Sequence, residues 1–174
     1  MTQSRSKKVT VCAALVAVGL IIGYIESFII LPVNVPGIRI GLANIVSIIA
    51  LYLFGPGYSA AVLILRVILA SMLFGSPVSF SYSIAGALCA FAAMVTLKRF
   101  GFSVYGVSVG GGAAHNIAQL AVAYFFVGSA YVFTYMPALV LAGIIAGLIT
   151  GALSDVIGKR LVRLSYDSER NDKR

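Results

Sequence analysis

The chain has 174 residues, of which 60% are apolar and only 10% charged, where a soluble domain of this size carries about a quarter charged residues. Thirteen Lys and Arg against five Asp and Glu give a net charge of +8, but the charges crowd into Arg5 to Lys8, Lys98–Arg99 and the tail after Asp155. The apolar stretches between them run to about 16 to 25 residues, enough to cross a ~30 Å hydrocarbon core, which excludes a soluble globular domain and makes nucleic acid an unneeded explanation of the charge.

In chain order, residues 1–8 form a basic cytoplasmic segment. The apolar run after RSKK imitates a signal peptide, but it continues to Leu31, contains Glu26 and opens a series of further spans. It is therefore read as a retained first helix. Breakers follow at PVNVPG (32–37), GPGYS (55–59), GSPVS (75–79), KRFGFS (98–103) and GSAYVFTYMP (128–137). They leave six predicted spans near 9–31, 39–54, 59–74, 79–97, 103–127 and 138–157, the second and third short enough to sit upright or to be partly re-entrant. The last segment, 158–174, is basic and polar and is expected to be a disordered cytoplasmic tail.

Charge orients this layout. With six spans, the N-terminus, the 55–59 turn, Lys98–Arg99 and the tail share one side, while the loops at 32–37, 75–79 and 128–137 contain no Lys or Arg. Lys and Arg accumulate in cytoplasmic loops, so both termini are expected inside. The expectation is an all-α, multi-pass protein of the cytoplasmic membrane, with one six-transmembrane-helix bundle over 9–157.

Ionisable groups within spans are costly, about 2.5–3.5 kcal/mol at mid-bilayer, and normally face the bundle interior. Here they are Glu26, Arg39, Arg66, His115 and Asp155, with Asn44, Asn116 and Gln119 as neutral partners. Glu26 and Arg39 read either as an ion pair bracing the first outer loop or as part of a binding site, and Arg39 alone can snorkel to the interface. Arg66 falls at mid-span with no acid at its depth, so it needs carbonyls, amides or a bound anion. Its two readings are ligand binding and a structural polar network.

The stretch GGGAAHNIAQL (110–120) is the densest polar feature. His115, Asn116 and Gln119 are spaced three and four apart and are expected on roughly one helical face, behind three glycines that permit close approach of a helix or a ligand. An interhelical hydrogen-bond cluster is the competing reading. Small-residue pairs at Ala13/Ala17, Gly19/Gly23 and Gly143/Gly147/Gly151 suit helix packing, and Asp155 with Lys159 suits a structural i,i+4 pair. Cys12 and Cys89 read as small buried hydrophobes, and no Cys/His cluster suggests a metal.

Nucleotide-binding, zinc-protease and nucleophile-elbow motifs are missing, as is an aspartate-rich DDxxD for a magnesium diphosphate. The spans hold one clear carboxylate, Glu26, with Asp155 at the edge. No catalytic residue, metal or cofactor is therefore expected, and the chain is not expected to be an enzyme.

The runs GYIESFIILPVNVPGIRIGLANIVSIIALYLFG (23–55), LRVILASMLFGSPVSFSYSIAGAL (65–88) and GVSVGGGAAHNIAQL (106–120) resemble the Gx transporter family, also known as heptaprenyl diphosphate synthase component I, over about residues 10–155. The six-span layout is similar to the substrate-binding S components of energy-coupling factor transporters. That resemblance implies a ligand site near the outer face and an ATPase on a separate energy-coupling module. Ala13/Ala17 would dock the transmembrane coupling subunit, and Arg39, Asn44, Arg66, His115 and Asn116 would line or support the site for a polar, anionic ligand. The family's other name implies an alternative, a noncatalytic membrane partner of a soluble prenyl synthase.

Overall fold

The computed structural model describes residues 5–28, 39 and 41–171, with side chains to residue 160. Among the described residues, six α-helices follow one another: α1 (Arg5–Glu26), α2 (Ile45–Leu53), α3 (Pro56–Phe74), α4 (Pro77–Arg99), α5 (Val104–Val127) and α6 (Met136–Asn171). Short 3-10 turns over Leu42–Asn44 and Ala130–Tyr135 lead into α2 and α6.

Local chemistry explains these limits. Ser76 caps α4 by accepting from Ser79 N–H at 3.1 Å, and Ser103 caps α5 by accepting from Gly106 N–H at 3.3 Å. Pro56 and Pro77 stand at helix starts, where a missing N–H costs nothing. Gly128, at φ 68°, ends α5 in the left-handed conformation that favours glycine.

Among the described residues, four helical stretches are long and apolar enough to cross a membrane: Arg5–Glu26, Pro56–Phe74, Pro77–Arg99 and Ala130–Arg160. α5 is as long, but its glycines and its His, Asn and Gln lower its hydropathy. α2 has nine residues, about 14 Å of helix, and cannot cross alone. Every residue from Ile45 to Leu51 is buried, which is why α2 is apolar on all sides. It packs against α1 and α3 through Leu15, Val16, Val46, Ile49 and Val62, and on its other side Ile48 and Leu51 meet Met94 and Val107.

Three boundaries differ from the sequence reading. The first helix stops at Glu26 instead of Leu31, and the predicted loop 32–37 lies outside the described residues. The second helical segment begins at Leu42 rather than 39, because Gly41 takes φ 92°. The expected disordered tail from 158 is instead a continuation of α6 to Asn171. Nothing stops it, since KRLVRLSYDSERN (159–171) contains neither Gly nor Pro. The cysteines differ as well: Cys12 is half-buried, whereas Cys89 is exposed on the outer face of α4.

The glycine run at 110–112 admits neighbouring helices. A Cβ on Gly110 or Gly111 would strike Leu97 or Met94 of α4, and one on Gly112 would strike the Gly143 carbonyl of α6. A Cβ on Gly147 would stand 2.6 Å from Val109 Cα. Removing side chains lets α5 and α6 approach backbone to backbone, the usual way apolar helices associate where lipid is as apolar as protein.

The basic residues gather at one end. Lys8 lies 5.9 Å from the Tyr58 ring centroid. Lys98 donates to the Leu51 carbonyl at 2.6 Å and lies 4.4 Å from the Tyr52 centroid. Lys159 pairs with Asp155 at 2.6 Å, in a cleft shared with Tyr52. Glu26, Arg39, Ser79 and Gln119 meet at the other end.

Candidate functional site

A helix start leaves backbone N–H groups without partners, and α2 begins inside the bundle. Glu26, the last residue of α1 and 4% exposed, supplies the acceptors. Its carboxylate takes the Gly41 N–H with one oxygen and the Ala43 N–H, at 3.4 Å, with the other. A carboxylate at a helix N-terminus is also favoured by the helix dipole. Glu26 therefore forms no ion pair with Arg39. The Arg39 guanidinium instead donates to Ser79 Oγ at 3.4 Å and lies 6.0 Å from the Phe74 ring centroid. The Arg39 backbone N–H donates to Gln119 Oε1 at 3.0 Å.

Arg66 enters from α3. It is 7% exposed, and its Nη2 donates to Asn44 Oδ1 at 3.2 Å. Room for its stem comes from Gly19 on α1, where a Cβ would stand 2.8 Å from Arg66 Cδ. Arg66 Nε is buried with no partner.

With its oxygen taken by Arg66, Asn44 can offer only its NH₂ to His115, 3.4 Å away at Nδ1. Gln119, its oxygen taken by Arg39, likewise offers an NH₂ to His115 Nε2 at 3.0 Å. A neutral imidazole accepts at one nitrogen and donates at the other. The shorter Gln119 contact assigns acceptance to Nε2. Nδ1 then carries the proton, on the side of the ring that faces Gly86. On that tautomer the Asn44 NH₂ faces a donor at Nδ1 and not an acceptor. The ring is held between glycines, since a Cβ on Gly86 would meet it at 2.7 Å and one on Gly41 at 3.0 Å.

The resulting hub joins α2, α3 and α5 through Arg66, Asn44, His115 and Gln119. Arg66 and Arg39 bring two positive charges against the one carboxylate of Glu26, whose oxygens already accept two N–H groups. Hydrogen-bond donors therefore exceed acceptors at a buried site. That imbalance costs stability unless an acceptor fills it.

Asn116 does not belong to this hub. Successive helical residues point about 100° apart, and Asn116 turns from His115 toward α6, donating to the Leu139 carbonyl at 2.6 Å. Its Oδ1 is buried without a partner. The structure adds Ser79, Gly41 and Gly86 to the residues singled out from sequence, and Gly19, read there as a packing glycine, makes room for Arg66. Ala13 and Ala17 are exposed on α1, so none of the described residues covers that small-residue face. Among the described residues, no three His, Cys, Asp or Glu side chains gather as metal ligands would.

No curated protein matches this chain. Its fold is similar to that of a solved S component of a bacterial ECF transporter, with a TM-score of 0.57 over 94% of this chain and 98% of that one. At 16% identity the likeness shows the fold alone. The family described as heptaprenyl diphosphate synthase component I matches residues 15–157, a range that holds Glu26, Arg39, Asn44, Arg66, His115 and Gln119, and the chain belongs to that family.

Proposed function

We propose that this protein is a membrane substrate-capture subunit, S-component-like, for an anionic or amphipathic metabolite such as a vitamin, a flavin or an isoprenoid or quinone precursor. One observation carries the reading. Arg66 is buried in a helix bundle, bonded to a neutral amide, with Nε unpartnered. An ionisable group inside a membrane bundle is a functional site by default, and a guanidinium lacking acceptors matches a carboxylate or phosphate.

In this reading Arg66 and the Asn44 NH₂ hold the anion, Gln119 fixes the His115 ring beside Asn44, and Glu26 and Arg39 fix the start of α2 above them. Asn116 supports the α5–α6 wall. The basic end faces the cytoplasm, α2 with the Leu42–Asn44 turn and the segment before it makes one crossing and α5 another, giving six with both termini inside, and the hub opens outward. The exposed Ala13/Ala17 face docks an energy-coupling transmembrane and ATPase module. The fold likeness to a transporter S component supports this assignment.

The family description supports a second reading, a noncatalytic membrane partner of a soluble prenyl synthase, with the hub as structural glue. Native mass spectrometry of gently purified wild type beside Arg66→Ala separates the two. The first reading expects a small molecule retained by wild type and lost from the variant. Neither form carrying a ligand, with a synthase subunit co-purifying, would overturn it in favour of the second.

A further inference from the structure

At the end of the bundle away from the hub, α2, α5 and α6 leave a cleft of about 310 Å³, within the size range of small-molecule sites. It exists because α2 stops at Leu53 and α5 starts only at Val104, while α6 runs on past both. Ile48, Ile49, Leu53 and Val104 give it apolar walls. Gly158 keeps it open, since a Cβ there would meet nothing within 4 Å.

Its polar features are few and one-sided. Ser154 lines the cleft with its Oγ buried and unpartnered, the residue being 5% exposed. At the mouth, Lys159 is balanced by Asp155. Lys98, stacked on the cleft residue Tyr52, reaches a backbone carbonyl and, among the described residues, no carboxylate. Two lysines against one aspartate leave an uncompensated positive charge beside an apolar slot. Basic pockets between membrane helices of this kind hold anionic lipid headgroups.

We propose that this cleft binds an anionic phospholipid of the surrounding bilayer. One acyl chain lies against Ile48, Ile49 and Val104, the phosphate sits at Lys98 and Lys159, and Ser154 donates to an ester oxygen. The lipid pins the end of α2 to α6. This site is separate from the Arg66 hub and does not depend on the captured metabolite.

The test uses the full chain in detergent, with phosphatidylglycerol or phosphatidylcholine added and bound lipid counted by native mass spectrometry. The wild type is expected to retain phosphatidylglycerol at least about fivefold better than phosphatidylcholine, the weight of one lysine near an anionic headgroup. Lys98→Gln and Lys159→Gln each lower that retention about fivefold. Gly158→Leu fills the cleft and abolishes retention without lowering the melting temperature. Arg99→Gln and Arg160→Gln, at the same end but outside the cleft, leave it unchanged. Equal retention of the two lipids, insensitivity to Gly158→Leu, or an equal loss with the Arg99 and Arg160 variants would overturn the proposal. Stoichiometric displacement of phosphatidylglycerol by a prenyl diphosphate would overturn it too, assigning the cleft to a different amphiphile.

Discussion

Gly19 and Arg66 share one volume: a Cβ on Gly19 would stand 2.8 Å from Arg66 Cδ and 2.9 Å from Val46 Cγ2. The guanidinium reaches Asn44 because α1 carries no side chain at that point. The placement of Arg66 can therefore be perturbed without touching its charge.

Gly19→Val is expected to push Arg66 off Asn44. Overpacking of this kind costs about 1–3 kcal/mol, read as a lower unfolding midpoint in detergent, and ligand retention should fall more than tenfold. Gly23→Ala, one turn along the same helix, is the control. Its Cβ would meet Ala43 Cβ at an ordinary 3.9 Å, so stability should hold or rise by up to about 1 kcal/mol with retention unchanged. Equal effects of the two would mean that Gly19 serves general packing, not Arg66.

Asn44→Asp tests what the hub lacks. The new carboxylate would face Arg66 Nη2, where Asn44 Oδ1 now accepts at 3.2 Å, and would supply the missing negative charge from within. The expected outcome is a melting temperature at or above wild type together with loss of the anionic ligand. Asn44→Leu removes the neutral acceptor of the buried guanidinium and should destabilise by about 1–3 kcal/mol or more, the cost of leaving a buried donor unsatisfied. An Asn44→Asp protein that still retains an anion would sink the reading of Arg66 as an anion holder.

Much of this was legible in the sequence, for reasons that differ by residue. Helix order followed from apolar runs and breakers because the bilayer penalises every exception to them. Arg66, Asn44, His115 and Gln119 stood out because polar groups are costly in such runs, and four of these conspicuous residues do meet. Asn116 misled, since it stands about 60° from Gln119 around the helix but about 100° from His115, and α6 lay on that side. Glu26 and Arg39 suggested a pair by charge, yet the N–H groups opening α2 compete for the same carboxylate, and backbone demand is invisible in a residue list. Gly41 and Gly86 drew no reading from sequence because their role is to leave space for His115, which appears only in three dimensions. The continuation of α6 was missed because polarity was taken for disorder in a segment with no helix breaker.

Orientation is tested by labelling. In a background with Cys12 and Cys89 replaced by Ser, Phe100→Cys and Tyr131→Cys place single thiols at opposite ends of the bundle, on side chains 76% and 81% exposed. A membrane-impermeant maleimide added to intact cells is expected to label the cysteine at 131 and to reach the one at 100 only after permeabilisation, as the basic end predicts. The opposite pattern would turn the hub toward the cytoplasm and end the proposal of capture from outside.

The approach of α5 and α6 makes a final, paired prediction. Gly57→Ala and Gly147→Ala both replace a helical glycine with a better helix former, a change worth about 0.5–1 kcal/mol in the helix interior. At Gly57 a Cβ meets nothing within 4 Å, so the gain should be realised in part or in full. At Gly147 the Cβ would stand 2.6 Å from Val109 Cα and 2.8 Å from the Ser108 carbonyl oxygen. Those are backbone atoms, which cannot rotate away as a side chain can, so the helices must separate. Separation would loosen the Ser108–Thr150 hydroxyl contact, now 2.7 Å, and the bond from Asn116 to Leu139. A net loss of about 1–3 kcal/mol is expected for Gly147→Ala, giving opposite signs for the same chemical change in unfolding measurements on the two variants. Equal signs would mean that the α5–α6 seam tolerates a methyl group, and that close backbone approach is not what the glycine ladder provides.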